Sequence, residues 1–450
     1  MIKTGELFKT VENCQDELIA FHRGLVKIPT VNTGVMPTGN ETEAGKFIQR
    51  KLAAEGIEAE ILESAPSRGN LIARIGDRLG PSLMLMSHTD VVPVEDEKAW
   101  KYPPFAAEMA DGLIWGRGSS DCKAETSTQV LTMIILKRLG LKPKGTLIVA
   151  ATADEEAGGK YGFGYLTREH STKIKADFAL NEGGGNVIKT KSGTAYAFSV
   201  GEKGRLEAKF TLRGKSCHAA TPWLGDNTLF KTQQLIKRIQ EYKPDIVLSN
   251  PIFRHLDTLY GIKARPNKQN IEHIIDKVTR RSKSQGVSLK AASRMTITPT
   301  MNQAGIKSNS VPETSVLTCD IRTVPGQDEE YVHRQVHKIL KGTRDVEYSL
   351  DHTALSNSSP FDTEFAKKVM TATMRATGIQ DLKFIPTYTN GFTDSRFVRP
   401  LGSIVYGFSP GDPRAKERVS GAHGKDEAVE IETLNVMLRT YLAVCADLLL

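Results

Sequence analysis

The chain has 450 residues, with 60 Lys and Arg against 52 Asp and Glu and a formal charge of +8, a length that suits two or three domains. Its 39% hydrophobic and 25% charged residues exclude wholesale disorder, and no apolar run reaches the roughly 18–20 residues that a bilayer crossing needs. Five cysteines at 14, 122, 217, 319 and 445, odd in number and with no CxxC pair, argue against a disulfide framework; together with an N-terminal stretch lacking a secretory signal's apolar core, they point to a cytoplasmic protein.

In chain order, residues 83–86 read as a buried strand that ends in SHTD. Residues 125–139 read as a helix stopped by Gly140. Strand 147–151 ends in TADEE and strand 177–180 in NEGGG. Short apolar runs alternating with helical patterns are what a parallel sheet with crossover helices produces. The rhythm then changes. Residues 204–213 alternate as a half-exposed strand, 227–242 read as a helix, 295–303 and 314–322 as strands, 328–340 as a helix and 346–350 as a strand. This β-α-β-β-α-β order is that of a ferredoxin-like unit. A strand at 403–408 and a helix from about residue 430 close the chain. The pattern predicts an α/β catalytic domain, a mostly parallel sheet with helices on both faces, built from residues 1–202 and 355–450. An inserted α+β ferredoxin-like domain over residues 203–354 interrupts it.

Ligands of open parallel sheets bind outside the carboxyl ends of the strands. His88 and Asp90 follow one predicted strand, Glu155 and Glu156 another, and Glu182 a third. Asp121 lies in the loop GRGSSDCK before the helix, and His423 in GAHGKDE after the last strand. Imidazoles with carboxylates form a ligand set for Zn²⁺ or another divalent transition ion. Each group alone also fits a bland reading: a turn pair, a solvated acidic turn, an N-cap, a loop residue. Their joint placement at strand ends is what points to a site.

The segments SHTDVVP, GRGSSDCK, TADEE, NEGGG, KSCHAATP, NSVP with CDIR, GFTDSR and GAHGKDE resemble, in order, the zinc-dependent amidohydrolases that include acetylornithine deacetylase, succinyl-diaminopimelate desuccinylase, aminoacylase and glutamate carboxypeptidase. The resemblance implies a two-metal centre, most simply of Zn²⁺, with Co²⁺ or Mn²⁺ also suited to the ligands. In it Asp121 bridges, His88 and Glu182 complete one site, and Glu156 and His423 the other. It makes Glu155 the general base and has Asp90 orient His88. It implies that His218, often from a partner subunit, stabilises the oxyanion, and that Asn309 and Arg322 hold the substrate and its carboxylate. One departure stands out: Ala124 replaces the Gly of the family's Asp-x-Lys-Gly. Ala is tolerable there if φ is negative.

The resemblance thus implies hydrolysis of an amide bond in an N-acyl amino acid or a short peptide with a free carboxylate, by a homodimer. A dipeptidase or aminopeptidase with a similar centre stays open, as does an inactive binding module, which would be expected to lose Glu155 or a ligand. Nucleic acid and membrane are not expected partners, since no recognition signature or spanning segment accompanies the charge. That charge is local: residues 236–294 hold 13 Lys and Arg against 5 Asp and Glu, a balance of +8 that equals the whole chain's. It reads as either a basic surface for an anionic substrate or partner, or a solvated helix pair.

Overall fold

The computed structural model describes residues 4–77, 79–190, 193–415 and 421–450. The chain divides into two compact units. One comprises residues up to Val200 with Ser359–Thr387 and Thr393–Leu450, the other Gly201–Ser358 with Tyr388–Phe392.

The first unit is built on a mixed sheet in the order Ala59–Glu63, Gly69–Gly76, Thr146–Thr152, Ser82–His88, Phe178–Asn181, Ile404–Gly407 and Gly193–Glu202. Its four central members, from Thr146–Thr152 to Ile404–Gly407, pair in parallel. The flanking strands are antiparallel. The expected parallel sheet is therefore its centre, where both faces are covered and the strands carry continuous apolar runs such as Leu83–Met86 and Leu147–Ala151. On one face Met84, Met86, Ile148, Ala150 and Val405 pack against Phe163, Leu166 and Val398 of two short helices. On the other lies the helix Lys123–Arg138, which is buried along its length up to Leu136. Thr126 on this helix hydrogen-bonds Ser87 Oγ at 3.0 Å, and Ile431–Leu449 packs beside it. It stops where Gly140 takes φ 64°, a left-handed turn that a side chain would resist. Ala124 keeps a negative φ in the first helical turn, so the missing glycine leaves the helix start intact.

The second unit carries a four-stranded antiparallel sheet in the order Thr296–Ala304, Thr314–Thr323, Gly204–Arg213 and Val346–Ala354. Leu206, Phe210, Leu317 and Ile321 alternate inward onto Leu235 and Ile239 of Thr228–Glu241 and Val332 and Val336 of Glu329–Leu340. The chain order is the β-α-β-β-α-β expected. Between the first helix and second strand stand a 3-10 turn, Pro251–Arg254, and three further helices, Leu256–Tyr260, Ile271–Arg281 and Lys283–Ala292, with their own small core of Phe253, Leu256, Ile274, Val278 and Leu289. Among the described residues no helix is long and apolar enough to cross a membrane.

Candidate metal centre

Three parallel strands of the first unit end side by side. His88 is the last residue of its strand and lies in register with Thr152. Phe178–Asn181 delivers Glu182 one residue later. The loop after Glu182 runs tightly against the next strand: a Cβ on Gly184 would stand 2.1 Å from the Gly407 carbonyl oxygen. Beyond Thr152 the chain turns at Asp154, whose φ of 71° starts a single 3-10 turn, Glu155–Ala157. The Glu155 and Glu156 amides each donate to the Asp90 carboxylate at 3.2 Å. Asn32 Nδ2 donates to the same carboxylate at 2.8 Å.

Asp121 joins two groups of side chains. Its Oδ1 is 3.1 Å from His88 Nε2, which is also 3.6 Å from Glu182 Oε1. Its Oδ2 is 3.3 Å from His423 Nε2, which is 3.0 Å from Glu156 Oε2. His88 Nδ1 lies 3.0 Å from the Asp90 carbonyl oxygen, which can only accept, and 3.5 Å from the Asp90 carboxylate. Nδ1 therefore carries the proton, and in neutral imidazole Nε2 presents a lone pair to Asp121 and Glu182. Lone pairs converging in this way repel unless a cation stands among them. The donor set thus fits a divalent ion on each side of Asp121.

The electrostatics show the same demand for positive charge, which protons on the imidazoles and carboxyls otherwise meet. Burial, with the neighbouring Glu182 carboxylate, pushes Glu155 well above the usual range. Burial likewise raises Glu156 and Glu182. Hydrogen bonds to Asp121 and Glu156 hold His423 up at about 10. Burial opposes the charged forms of His88 and Asp121, but their mutual contacts and neighbours overcome it, raising His88 and lowering Asp121. A crowded set of carboxylates balanced by only two imidazoles is a cation-seeking environment.

Cys122 also approaches His88 and Glu182 closely enough to join a ligand set. It is fully buried, and its Sγ accepts from the His88 amide at 3.1 Å and faces the His88 carbonyl oxygen at 3.4 Å. Burial pushes the thiol far up, so it behaves as an inert packed cysteine held to the main chain.

The remaining residues singled out in the sequence lie in the second unit. His218 and Asn309 come together on adjoining chain segments: the Ala219 amide donates to the Asn309 carbonyl oxygen at 3.0 Å, and His218 bridges to Ser310. Both are exposed. His218 Nδ1 accepts from the Ala220 amide at 3.1 Å, so neutral imidazole carries its proton on Nε2 as a free donor. Arg322 lies elsewhere, on Thr314–Thr323, cross-strand from Thr296 and Arg205. Its Nε pairs with Asp320 at 2.8 Å, and among the described residues its two terminal nitrogens have no hydrogen-bond partner.

Several supporting residues went unread in the sequence. Glu427 accepts from Arg117 Nη1 at 2.8 Å, from the Gly118, Ser120 and Asp121 amides at 3.0, 2.9 and 3.0 Å, and from Ser120 Oγ at 3.1 Å. Arg117 also donates to the His423 carbonyl oxygen at 3.3 Å. Arg68 is fully buried and pairs with Glu41 at 3.0 Å and Asp154 at 2.9 Å. Asn32 links Asp154 to Asp90. Asp394, in GFTDSR, is buried, accepts from Thr152 Oγ1 at 3.4 Å and is pushed by burial up to about 7. The glycines and serines of GRGSSD, which leave amides open to an acceptor, are the signal that could have pointed to Glu427.

Comparison with known proteins gives one consistent family. Residues 84–447 match the family described as Peptidase family M20/M25/M40. A probable succinyl-diaminopimelate desuccinylase of Staphylococcus aureus (strain N315) is 26% identical over 422 residues, covering 92% of this chain and 93% of that protein. An N-fatty-acyl-amino acid synthase/hydrolase of Xenopus tropicalis is 27% identical over 445 residues, covering 96% and 86%. Among solved structures, an M20 family metallo-carboxypeptidase from Sulfolobus solfataricus superposes with a TM-score of 0.69 at 18% identity, covering 95% of this chain and 98% of that one. A dinuclear metal binding peptidase of the M20 family from Bacillus subtilis gives 0.61 at 16% identity, covering 97% and 99%.

Proposed function

Since this chain belongs to peptidase family M20/M25/M40 and is a metal-dependent amidohydrolase, we propose that it cleaves the amide of an N-acyl amino acid or of a short peptide bearing a free carboxylate. The observation that carries the reading is the division of Asp121: one oxygen faces His88 and the other His423, each imidazole with its own second carboxylate. His88 and Glu182 would hold one divalent ion, Glu156 and His423 a second, and Asp121 both. Zn²⁺ suits this imidazole-carboxylate set best, with Co²⁺ or Mn²⁺ as working substitutes. When bound, such a pair supplies Lewis acidity to the carbonyl and acidity to water.

The chain's own residues do the rest. Glu155, whose carboxyl burial has made more basic, takes a proton from the attacking water and returns it to the amine nitrogen as the C–N bond breaks. Asp90 positions this base, because its carboxylate fixes the Glu155 and Glu156 amides and its carbonyl sets the His88 tautomer. His218 Nε2–H donates to the carbonyl oxygen as negative charge grows there. Asn309 and the free end of the Arg322 fork hold the substrate and its carboxylate. An aminopeptidase would need carboxylates at that position to anchor an amine.

The domain limits proposed are residues 1–202 and 355–450 for the metal-binding domain and 203–354 for an inserted lid. That lid also dimerises, which lets His218 act from the partner subunit. Trp223, Leu224 and Phe230 support this, standing 88%, 66% and 69% exposed beside the His218 segment. The enzyme is assigned to the cytoplasm, consistent with five free cysteines. The test is a panel of N-acetyl and N-succinyl amino acids and dipeptides offered to the metal-reconstituted protein. Turnover of carboxylate-bearing members and none of their amidated analogues is the expected result. Preference for amidated or free-amine substrates would overturn it.

A further inference from the structure

The second unit contains a cavity of about 710 Å³ that includes none of the residues discussed above as catalytic or binding, within the roughly 300–1,000 Å³ of small-molecule sites. It lies between the end of Thr228–Glu241, the helix Lys283–Ala292 and the start of Thr296–Ala304. Ile239, Ile246, Val287, Met295 and Ile297 give it an apolar lining. Lys243, Lys290 and Arg294 stand around it with a single acid, Glu272. Every one of these residues except Met295 and Ile297 falls within the stretch 236–294 that carries the chain's whole positive excess.

Arg294 is the fixed point. It is only 8% exposed. Its Nη1 pairs with Glu272 at 2.6 Å, its Nε bonds Ser293 Oγ at 2.9 Å, and Lys203 Nζ holds its carbonyl oxygen at 2.9 Å. Its Nη2 has no hydrogen-bond partner among the described residues. A buried guanidinium whose second N–H₂ lacks an acceptor is costly to keep. Glu272 already serves Nη1, and the two exposed lysines remain unopposed by other acids in the lining.

We propose that this cavity binds an amphipathic carboxylate, an anion whose apolar chain covers the isoleucines and Val287 while its head group meets Arg294, Lys290 and Lys243. An apolar wall with convergent cations selects against both a bare anion, which leaves the wall wet, and an uncharged chain, which leaves the cations unpaired. The test is calorimetric titration of the full, metal-loaded protein with decanoate, with acetate and decanol as comparison ligands. Saturable decanoate binding, with both comparison ligands about tenfold weaker or worse, is the expected result. The double variant Lys243→Glu/Lys290→Glu changes only exposed side chains and should weaken decanoate about tenfold or more. Val287→Glu, also at an exposed position, should do the same. Arg322→Ala should leave this binding in place. Absence of saturable binding, an isotherm unchanged in the double Lys variant, equal binding of decanol, or loss of binding in Arg322→Ala would each overturn the proposal.

Discussion

Asp121 does what neither histidine can do alone, because a carboxylate has two oxygens about 2.2 Å apart on opposite sides of one carbon. Oδ1 is committed to His88 and Oδ2 to His423, so one short side chain can serve two ions. Asp90 shows how a supporting residue divides its labour. Its main-chain oxygen sets the His88 tautomer at 3.0 Å, while its side chain, 3.5 Å from the imidazole, chiefly fixes the turn that carries Glu155 and Glu156. Arg322 is half committed to Asp320 through Nε alone, leaving a planar fork to meet a carboxylate. Arg322→Ala should therefore raise KM for carboxylate substrates by about 10–100-fold, a loss of about 1.4–2.7 kcal/mol, with little change in kcat. Steady-state kinetics on a substrate and its amidated analogue check this. An equal effect on both would remove the carboxylate role.

Among the elements, two loops of irregular backbone carry Asp121 and His423, and Glu427 ties them together. It collects three amides of GRGSSD, and its partner Arg117 reaches the His423 carbonyl oxygen. The strand Ala428–Glu430 that follows pairs with Leu113–Trp115, bringing Glu427 beside that loop. Glu427→Gln keeps the shape but removes the charge opposite buried Arg117. It should cost about 3–5 kcal/mol of stability and weaken metal binding about 10–100-fold. Thermal unfolding and metal titration measure the two effects, and unchanged metal affinity would refute the tie. These cases also show what the sequence could disclose. His88, Glu155, Glu156 and Glu182 were legible because parallel strands deliver their last residues to one edge, and apolar runs mark where those strands end. Glu427, Arg68 and Asn32 were not, because they work through backbone amides or through contacts between residues far apart in the chain. Neither leaves a periodic trace.

Across the whole molecule, the β-α-β-β-α-β unit was visible in the change of rhythm at residue 204. The parallel sheet's antiparallel flanks were not, since strand direction is decided by connections rather than by composition. The concentration of charge in 236–294 now has a structural counterpart in a helix pair with a small core and an adjoining cavity. The apolar side chains at Trp223, Leu224 and Phe230 belong to the dimer proposed above. Light scattering should give about twice the 49.4 kDa chain mass for wild type. Trp223→Glu/Phe230→Glu should give the monomer, since two charges buried in an apolar contact are costly. A wild-type monomer would dismiss the partner subunit's role.

In the mechanism proposed, a two-metal centre presents water to Glu155. This is tested most directly by measuring bound metal and turnover together in wild type and Glu155→Gln. Two divalent ions per chain are expected in both proteins, with turnover of the variant lower by about 10²–10⁴-fold. Turnover close to wild type, or loss of metal with the substitution, would contradict it.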